Sequence, residues 1–186
     1  AYGAGHATVA GACVTVLKAF FEMFGKDMKP IGYKEAFEGL DLYVSKPSPA
    51  GTATSQLTPW TGDDSAVTLE GELNKLAANI SIGRNMAGVH FYTDYFDSLR
   101  MGERIATGII QEQMLNYPEP VSMSFHSFDG DRIDIRTSGK ASASKVDIVV
   151  NGKDDAQAAE EWWTRHIREF ADMSLDAPLV VAAAAE

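Results

Sequence analysis

Hydrophobic residues recur at three- and four-residue steps in four stretches of the chain, and this spacing predicts four amphipathic α-helices. The predicted helices cover residues 5–25, 68–83, 93–116 and 156–172. We therefore expect a mainly α-helical protein whose core lies between these helices. Small residues crowd the first turns of the first helix, so another helix can approach closely there: Ala7, Ala10, Gly11 and Ala12. The large apolar residues of this helix that are predicted to be buried are Val9, Cys13, Val16, Leu17, Phe20, Phe21 and Phe24.

The period of the pattern falls to two residues in the last third of the chain. Val121, Met123 and Phe125 alternate with polar residues, and Asp129-Gly130 is a strong turn signal. Further apolar residues alternate on either side of position 140, which predicts a small antiparallel β-hairpin sheet near the C-terminus: Ile133, Ile135, Val146, Ile148 and Val150. Residues 26–66 are rich in proline, glycine, serine and threonine, so we expect a long surface connection with a short helix near residues 33–38.

Length and charge restrict the classes of function. With 186 residues, 45% of them hydrophobic, the chain can form one domain with a buried core. A net charge of −10 argues against a nucleic-acid partner, because binding phosphates requires clustered lysine and arginine. No apolar run reaches the roughly 20 residues that cross a bilayer, so we predict a soluble protein without a membrane span. The one cysteine, Cys13, excludes an intrachain disulfide and is predicted to be a small core residue.

Two short segments place a histidine beside or near glycine. The first is Gly3-Ala4-Gly5-His6-Ala7-Thr8, at the predicted start of a helix, where unpaired backbone N–H groups attract anions. The second is residues 84–94, RNMAGVHFYTD, which contains Arg84, His90 and Asp94. Together the two segments offer a guanidinium, two imidazoles and backbone donors, which are the groups that hold a tetrahedral oxyanion.

The second segment needs a break in its backbone if its side chains are to converge. On an uninterrupted helix six residues turn through about 240°, so Arg84 and His90 would point apart. Gly88 is the predicted position of the break. Asp94 lies four residues after His90, a spacing that lets its carboxylate hold one ring nitrogen and leave the other free as a ligand.

The segment from residue 84 to residue 106, RNMAGVHFYTDYFDSLRMGERIA, resembles the bromoperoxidase branch of the vanadium-dependent haloperoxidases. These enzymes are related to the type-2 phosphatidic acid phosphatases, and the resemblance implies their helical-bundle fold and a vanadate cofactor. It also implies that His90 bonds vanadium, that Gly5 and Arg84 hold vanadate oxygens, and that His6 acts as acid and base. Asp94 would orient His90.

The chain departs from the family pattern in two places. Where the family usually has Pro-Ser-Gly-His, Ala4 replaces the serine and cannot supply its hydroxyl. The family's first signature, a lysine followed later by Arg-Pro, does not occur in these residues. We therefore expect residues 1–186 to be the C-terminal catalytic portion of a longer polypeptide whose upstream part supplies further cations. The sequence does not indicate the compartment.

The function implied by the resemblance is oxidation of bromide or iodide by hydrogen peroxide, which yields a hypohalous species that halogenates small organic substrates. Phosphate would compete with vanadate for the site, and we expect a homo-oligomer. Two alternatives stay open. In an acid phosphatase of the related family, His90 would be the nucleophile and Asp94 would orient it. A catalytically silent structural subunit would follow if the further cations were missing.

Overall fold

The computed structural model describes residues 3–38, 40–46, 56–63, 66–139 and 145–172, with side chains described as far as Arg165. Within these residues the helices are α1 (Gly5–Phe20), α2 (Tyr33–Ala36), α3 (Leu69–Met86), α4 (Tyr92–Met114) and α5 (Ala156–Asp172). The strands are β1 (Tyr43–Lys46), β2 (Gln56–Pro59), β3 (Val121–His126), β4 (Arg132–Thr137) and β5 (Val146–Val150). The protein is thus mainly α-helical, as predicted, with two small antiparallel sheets.

The helices α1, α3 and α4 pack around one another, and α1 and α4 form the most extensive contact. Gly102 lies where these two helices cross, and a Cβ atom at this position would overlap the backbone carbonyl oxygen of Thr8. At the start of α1, the amide of Ala4 meets the hydroxyl of Ser98, in the second turn of α4. Both helices therefore begin at the same end of the molecule.

The three-stranded sheet covers the far end of this helix pair. The strand order is β3-β4-β5, all antiparallel, with Phe125 opposite Ile133 and Ile135 opposite Ile148. The inward faces of the strands pack on the second half of α4 and on α5, and this core includes Ile110, Met114 and Trp162. The predicted alternation and the predicted position of the sheet are confirmed.

The first helix differs from its prediction in length and in orientation. It ends at Phe20, because Phe21 has an extended backbone, whereas the sequence predicted a helix to residue 25. Cys13 is exposed, as are four of the side chains that were expected to face the core: Val9, Leu17, Phe20 and Phe21. The buried face instead carries mostly small residues, because α4 approaches too closely for large ones: Ala7, Ala10, Gly11, Val14, Thr15, Lys18 and Ala19.

The connection between α1 and α3 contains more regular structure than its composition predicted. The short helix α2 lies where it was expected, at Tyr33–Ala36. In addition, β1 and β2 pair as an antiparallel two-stranded sheet, with Tyr43 opposite Pro59. Among the described residues, no helix combines the length and the apolar character needed to span a bilayer.

Candidate functional site

A tight turn between α3 and α4 forms the centre of the candidate site. Helix α3 ends at Met86, and Gly88 has a positive φ of 72°, so the predicted break is present. The amide of Val89 donates a hydrogen bond to the carbonyl oxygen of Arg84 over 3.2 Å. The chain therefore folds back on the last turn of α3 immediately before His90.

His90 and Asp94 form a hydrogen-bonded pair at the start of α4. The Nδ1 atom of His90 lies 3.2 Å from Oδ2 of Asp94, and the same oxygen accepts a hydrogen bond from the amide of Phe91 over 3.1 Å. These two donors, the Phe91 amide first, hold the pKa of Asp94 below its usual value. An ionised carboxylate can only accept, so Nδ1 of His90 carries the proton and Nε2 is left as the basic nitrogen.

Arg84 lies in the last turn of α3 with a donor that has no acceptor. Its Nε atom is buried and has no hydrogen-bond partner among the described residues. The side-chain oxygen of the neighbouring Asn85 is also buried and has no hydrogen-bond partner among the described residues. A buried donor without a partner costs free energy, and an oxyanion in the turn would satisfy it.

The first motif forms the start of α1, as predicted. Gly5 and His6 are the first two residues of the helix, and both are exposed. Ala4 is the N-cap residue but has no side-chain oxygen, so the amides of the first turn are not capped by it. These amides therefore give the start of α1 a partial positive charge.

The two motifs are joined through one face of α4. Asp94 and Ser98 are four residues apart and are therefore neighbours on this face. Asp94 holds His90, whereas Ser98 accepts a hydrogen bond of 2.8 Å from the amide of Ala4, which precedes Gly5 and His6. The structure thus brings the start of α1 and the His90 turn to the same end of the helix pair, although it shows no contact between the two histidines.

Comparison with known proteins gives consistent relatives. The chain is 47% identical over 134 residues to a vanadium-dependent bromoperoxidase of Corallina pilulifera, 46% identical to that of Corallina officinalis, and 33% identical over 138 residues to that of Ascophyllum nodosum. This chain is related to the vanadium-dependent bromoperoxidases. The matches cover 72–74% of the chain, and the chain spans about a fifth of the length of these curated relatives. No family model matches.

The side chains in the His90 turn suit the anion that the names of these bromoperoxidase relatives imply. Arg84 offers a buried donor that has no partner in the part of the chain that the structure describes, and the His90–Asp94 pair leaves the second ring nitrogen of His90 free of Asp94. The start of α1 adds backbone N–H groups. Among the described residues there is no cluster of three or more side chains of the kinds that hold a metal cation.

Ser98 is the site residue that sequence reasoning missed in this bromoperoxidase relative. It is almost fully buried, and its partner Ala4 lies 94 residues away. A serine inside a predicted helix usually bonds its own backbone, so nothing local in the sequence indicated this contact. The one available signal was its spacing of four residues from Asp94, on the same face of α4.

Proposed function

We propose that this chain carries the histidine end of the vanadate site of a haloperoxidase. The intact protein would oxidise bromide or iodide with hydrogen peroxide and release a hypohalous species that halogenates small organic compounds. The observation that carries this proposal is the turn after α3: it folds back on the carbonyl oxygen of Arg84, whose buried Nε has no partner among the described residues, and leads directly into the His90–Asp94 pair. The identity with three bromoperoxidases supports it.

Each residue of the site has a chemical role in this proposal. The guanidinium of Arg84 and the amide of Gly5 would hold oxygen atoms of vanadate, and Nε2 of His90 would bond the vanadium. Asp94 keeps the proton on Nδ1 of His90, which leaves Nε2 unprotonated as a ligand. His6 would accept and return a proton at its imidazole, at the open end of the site. Bound vanadate would supply a Lewis acid that polarises hydrogen peroxide.

The charge of the ligand leads to one further element of the proposal. Arg84 supplies one positive charge, and a multiply charged vanadate needs more to be held tightly. We propose that residues 1–186 form the C-terminal catalytic portion and that other parts of the intact polypeptide supply the remaining cations. Phosphate has nearly the same shape and charge, so it would compete for the same donors.

Vanadate reconstitution of the intact polypeptide tests the proposal. Vanadate binding and peroxide- and bromide-dependent bromination would be measured for the unmodified protein, for His90→Ala, and for the control His126→Ala. His90→Ala should weaken vanadate binding by more than about 100-fold. That is the loss expected when only a residue that hydrogen-bonds to a metal ligand is removed. His126 lies on β3 with its ring bonded to Glu70, so its replacement should leave vanadate binding nearly unchanged.

Two results would contradict the proposal. Hydrolysis of p-nitrophenyl phosphate by the vanadate-free protein, dependent on His90 and without bromination, would indicate an acid phosphatase. Neither activity, together with no vanadate bound, would indicate a catalytically silent structural subunit.

A further inference from the structure

Ser98 differs from two other buried hydroxyl groups on the long helices, those of Ser81 and Thr107. Ser81 and Thr107 are both fully buried, and each hydroxyl donates to the carbonyl oxygen four residues earlier in its own helix, over 2.7 and 2.8 Å. The Ser98 hydroxyl instead accepts the amide of Ala4, on another helix. A long-range bond of this kind fixes one element against another.

The position of this bond matters because of what flanks it at each end. On α1, Ala4 directly precedes Gly5 and His6, and its carbonyl oxygen accepts the amide of Thr8, so the held residue starts the helical hydrogen-bond ladder. On α4, Ser98 lies one turn beyond Asp94, which holds His90. The Ala4–Ser98 bond therefore links the two halves of the site directly.

Ala4 has no side-chain oxygen with which to fix the start of α1. Its methyl group is fully buried, and the backbone amide is the group that makes the contact with α4. The bond is short and shielded from water, since Ser98 is 3% exposed, so it is held more strongly than a similar bond at the surface.

We propose that Ser98 is a positioning residue of the anion site: its hydroxyl fixes the Gly5–His6 start of α1 against the His90–Asp94 pair. This inference rests on the vanadate site proposed above. Ser98 acts through the backbone of Ala4, so it is not a catalytic residue. Its loss would leave His90 and Asp94 in place and would weaken the contribution of the α1 donors to the bound anion.

The test compares Ser98→Ala with Ser98→Thr, which keeps the hydroxyl, and with Ser81→Ala, which removes an equally buried hydroxyl that bonds only its own helix. Two quantities are measured on each folded, intact variant: vanadate affinity by ⁵¹V NMR, with inorganic phosphate as a second probe, and hydrogen exchange of the Ala4 amide without any anion. Ser98→Ala should bind vanadate about tenfold more weakly and lose Ala4 protection, as removal of one hydrogen bond predicts. Ser81→Ala and Ser98→Thr should match the unmodified protein within about threefold.

The outcomes separate this inference from the function on which it rests. If the unmodified protein binds no vanadate, the proposed function fails. If it binds vanadate and His90→Ala does not, but Ser98→Ala binds as tightly as the unmodified protein, only the positioning role is overturned. A loss of Ala4 protection without any loss of affinity also overturns it. If Ser98→Ala does not fold, the unmodified protein supplies the test. Vanadate should then shift the amide resonances of Ala4 and Ser98, and unchanged resonances would refute the inference.

Discussion

Two carboxylates on α4, nine residues apart, have opposite electrostatic environments. Asp94, at the start of the helix, accepts hydrogen bonds from the Phe91 amide and from His90, and its pKa is lowered. Glu103, in the middle of the helix, is fully buried, and burial raises its pKa to about 7. Each accepts one backbone amide, Glu103 that of Phe128 over 2.8 Å, so the backbone bond does not explain the difference.

The difference in pKa follows from the burial of Glu103 and from the other groups that interact with each carboxylate. Asp94 has a second donor, His90, on the same oxygen. The Oε2 atom of Glu103 is buried and has no hydrogen-bond partner among the described residues, and the nearby charge of Lys18 offsets only part of the desolvation. The site end of α4 therefore has a carboxyl group with a lowered pKa, whereas the interior of the same helix holds one with a raised pKa.

Lys18 is the cation of this interior region. It is fully buried, and its Nζ atom donates to the side-chain oxygen of Asn74 over 3.2 Å and to the carbonyl oxygen of His126 over 2.6 Å. It also lies 4.3 Å from the centroid of the Phe128 ring. One ammonium group thus connects α1 to α3 and to the end of β3. The interior region around Lys18 and Glu103 is therefore a structural joint between these three elements.

The largest expected effect is that of removing this buried cation. Lys18→Met keeps the apolar length of the side chain but removes the donor to the Asn74 oxygen and the His126 carbonyl, and it removes the positive charge near Glu103. We expect the free energy of unfolding to fall by about 3–5 kcal/mol at pH 7, as for other buried pairs that lose one partner. Urea denaturation measures it.

Lys75→Met is the matched control, because Lys75 is exposed on α3 and, among the described residues, pairs only with Glu72, three residues earlier on the same helix. It should change the free energy of unfolding by less than about 0.5 kcal/mol. Equal losses in the two variants would show that the Lys18 region is not a structural joint.

Glu103→Gln tests the raised pKa through the pH dependence of stability. A carboxyl group whose folded pKa lies above its ordinary value of 4.5 stabilises the protein fully below pH 4.5 and loses this contribution as the pH rises through about 7. The stability of the unmodified protein relative to Glu103→Gln should therefore fall by up to about 3 kcal/mol between pH 4.5 and pH 8. Thermal denaturation at a series of pH values measures this change.

Glu112→Gln supplies the control for this series, because Glu112 lies on the same helix with an exposed side chain. Its stability relative to the unmodified protein should not vary over this pH range. A Glu103→Gln curve as flat as that of Glu112→Gln would mean that the pKa of Glu103 is not raised in the folded protein.

The sequence predicted the elements of the fold better than their contacts. The starts of α3 and α4 lie within one residue of prediction, and the break at Gly88 and the His90–Asp94 spacing are present. These features are local: a cap, a glycine and a spacing of four residues determine them. They could be predicted because the physical cause lies within a few residues of the effect.

The interior region was not predictable in this way, and the orientation of α1 was predictable only in part, since the small residues of its first turns indicated the close approach of another helix. The largest apolar side chains of α1 suggested the buried face, but the close approach of α4 selects the face with small residues and with Lys18. A lysine in a helix is usually exposed, and its acceptors lie 56 and 108 residues away. Ser98 has the same property, since its partner is 94 residues away and gives no local signal.

Asp94→Asn has the smallest expected effect on stability. This effect depends on pH in the direction opposite to that of Glu103→Gln. The amide oxygen of asparagine can still accept the Phe91 amide, so the bond to the backbone is kept, whereas the charged partner of His90 is lost. Because the folded pKa of Asp94 lies below the ordinary 3.8, its contribution is present above pH 3.8 and is lost as the pH falls through the lower folded value. The melting temperatures of the variant and the unmodified protein should therefore differ at pH 7 and converge toward pH 2.

Vanadate affinity should fall by roughly 10–100-fold, because His90 loses the partner that fixes its tautomer. Unchanged affinity together with converging melting temperatures would make Asp94 a helix-capping residue without a role in the site, and the contrast with Glu103 would then concern stability alone.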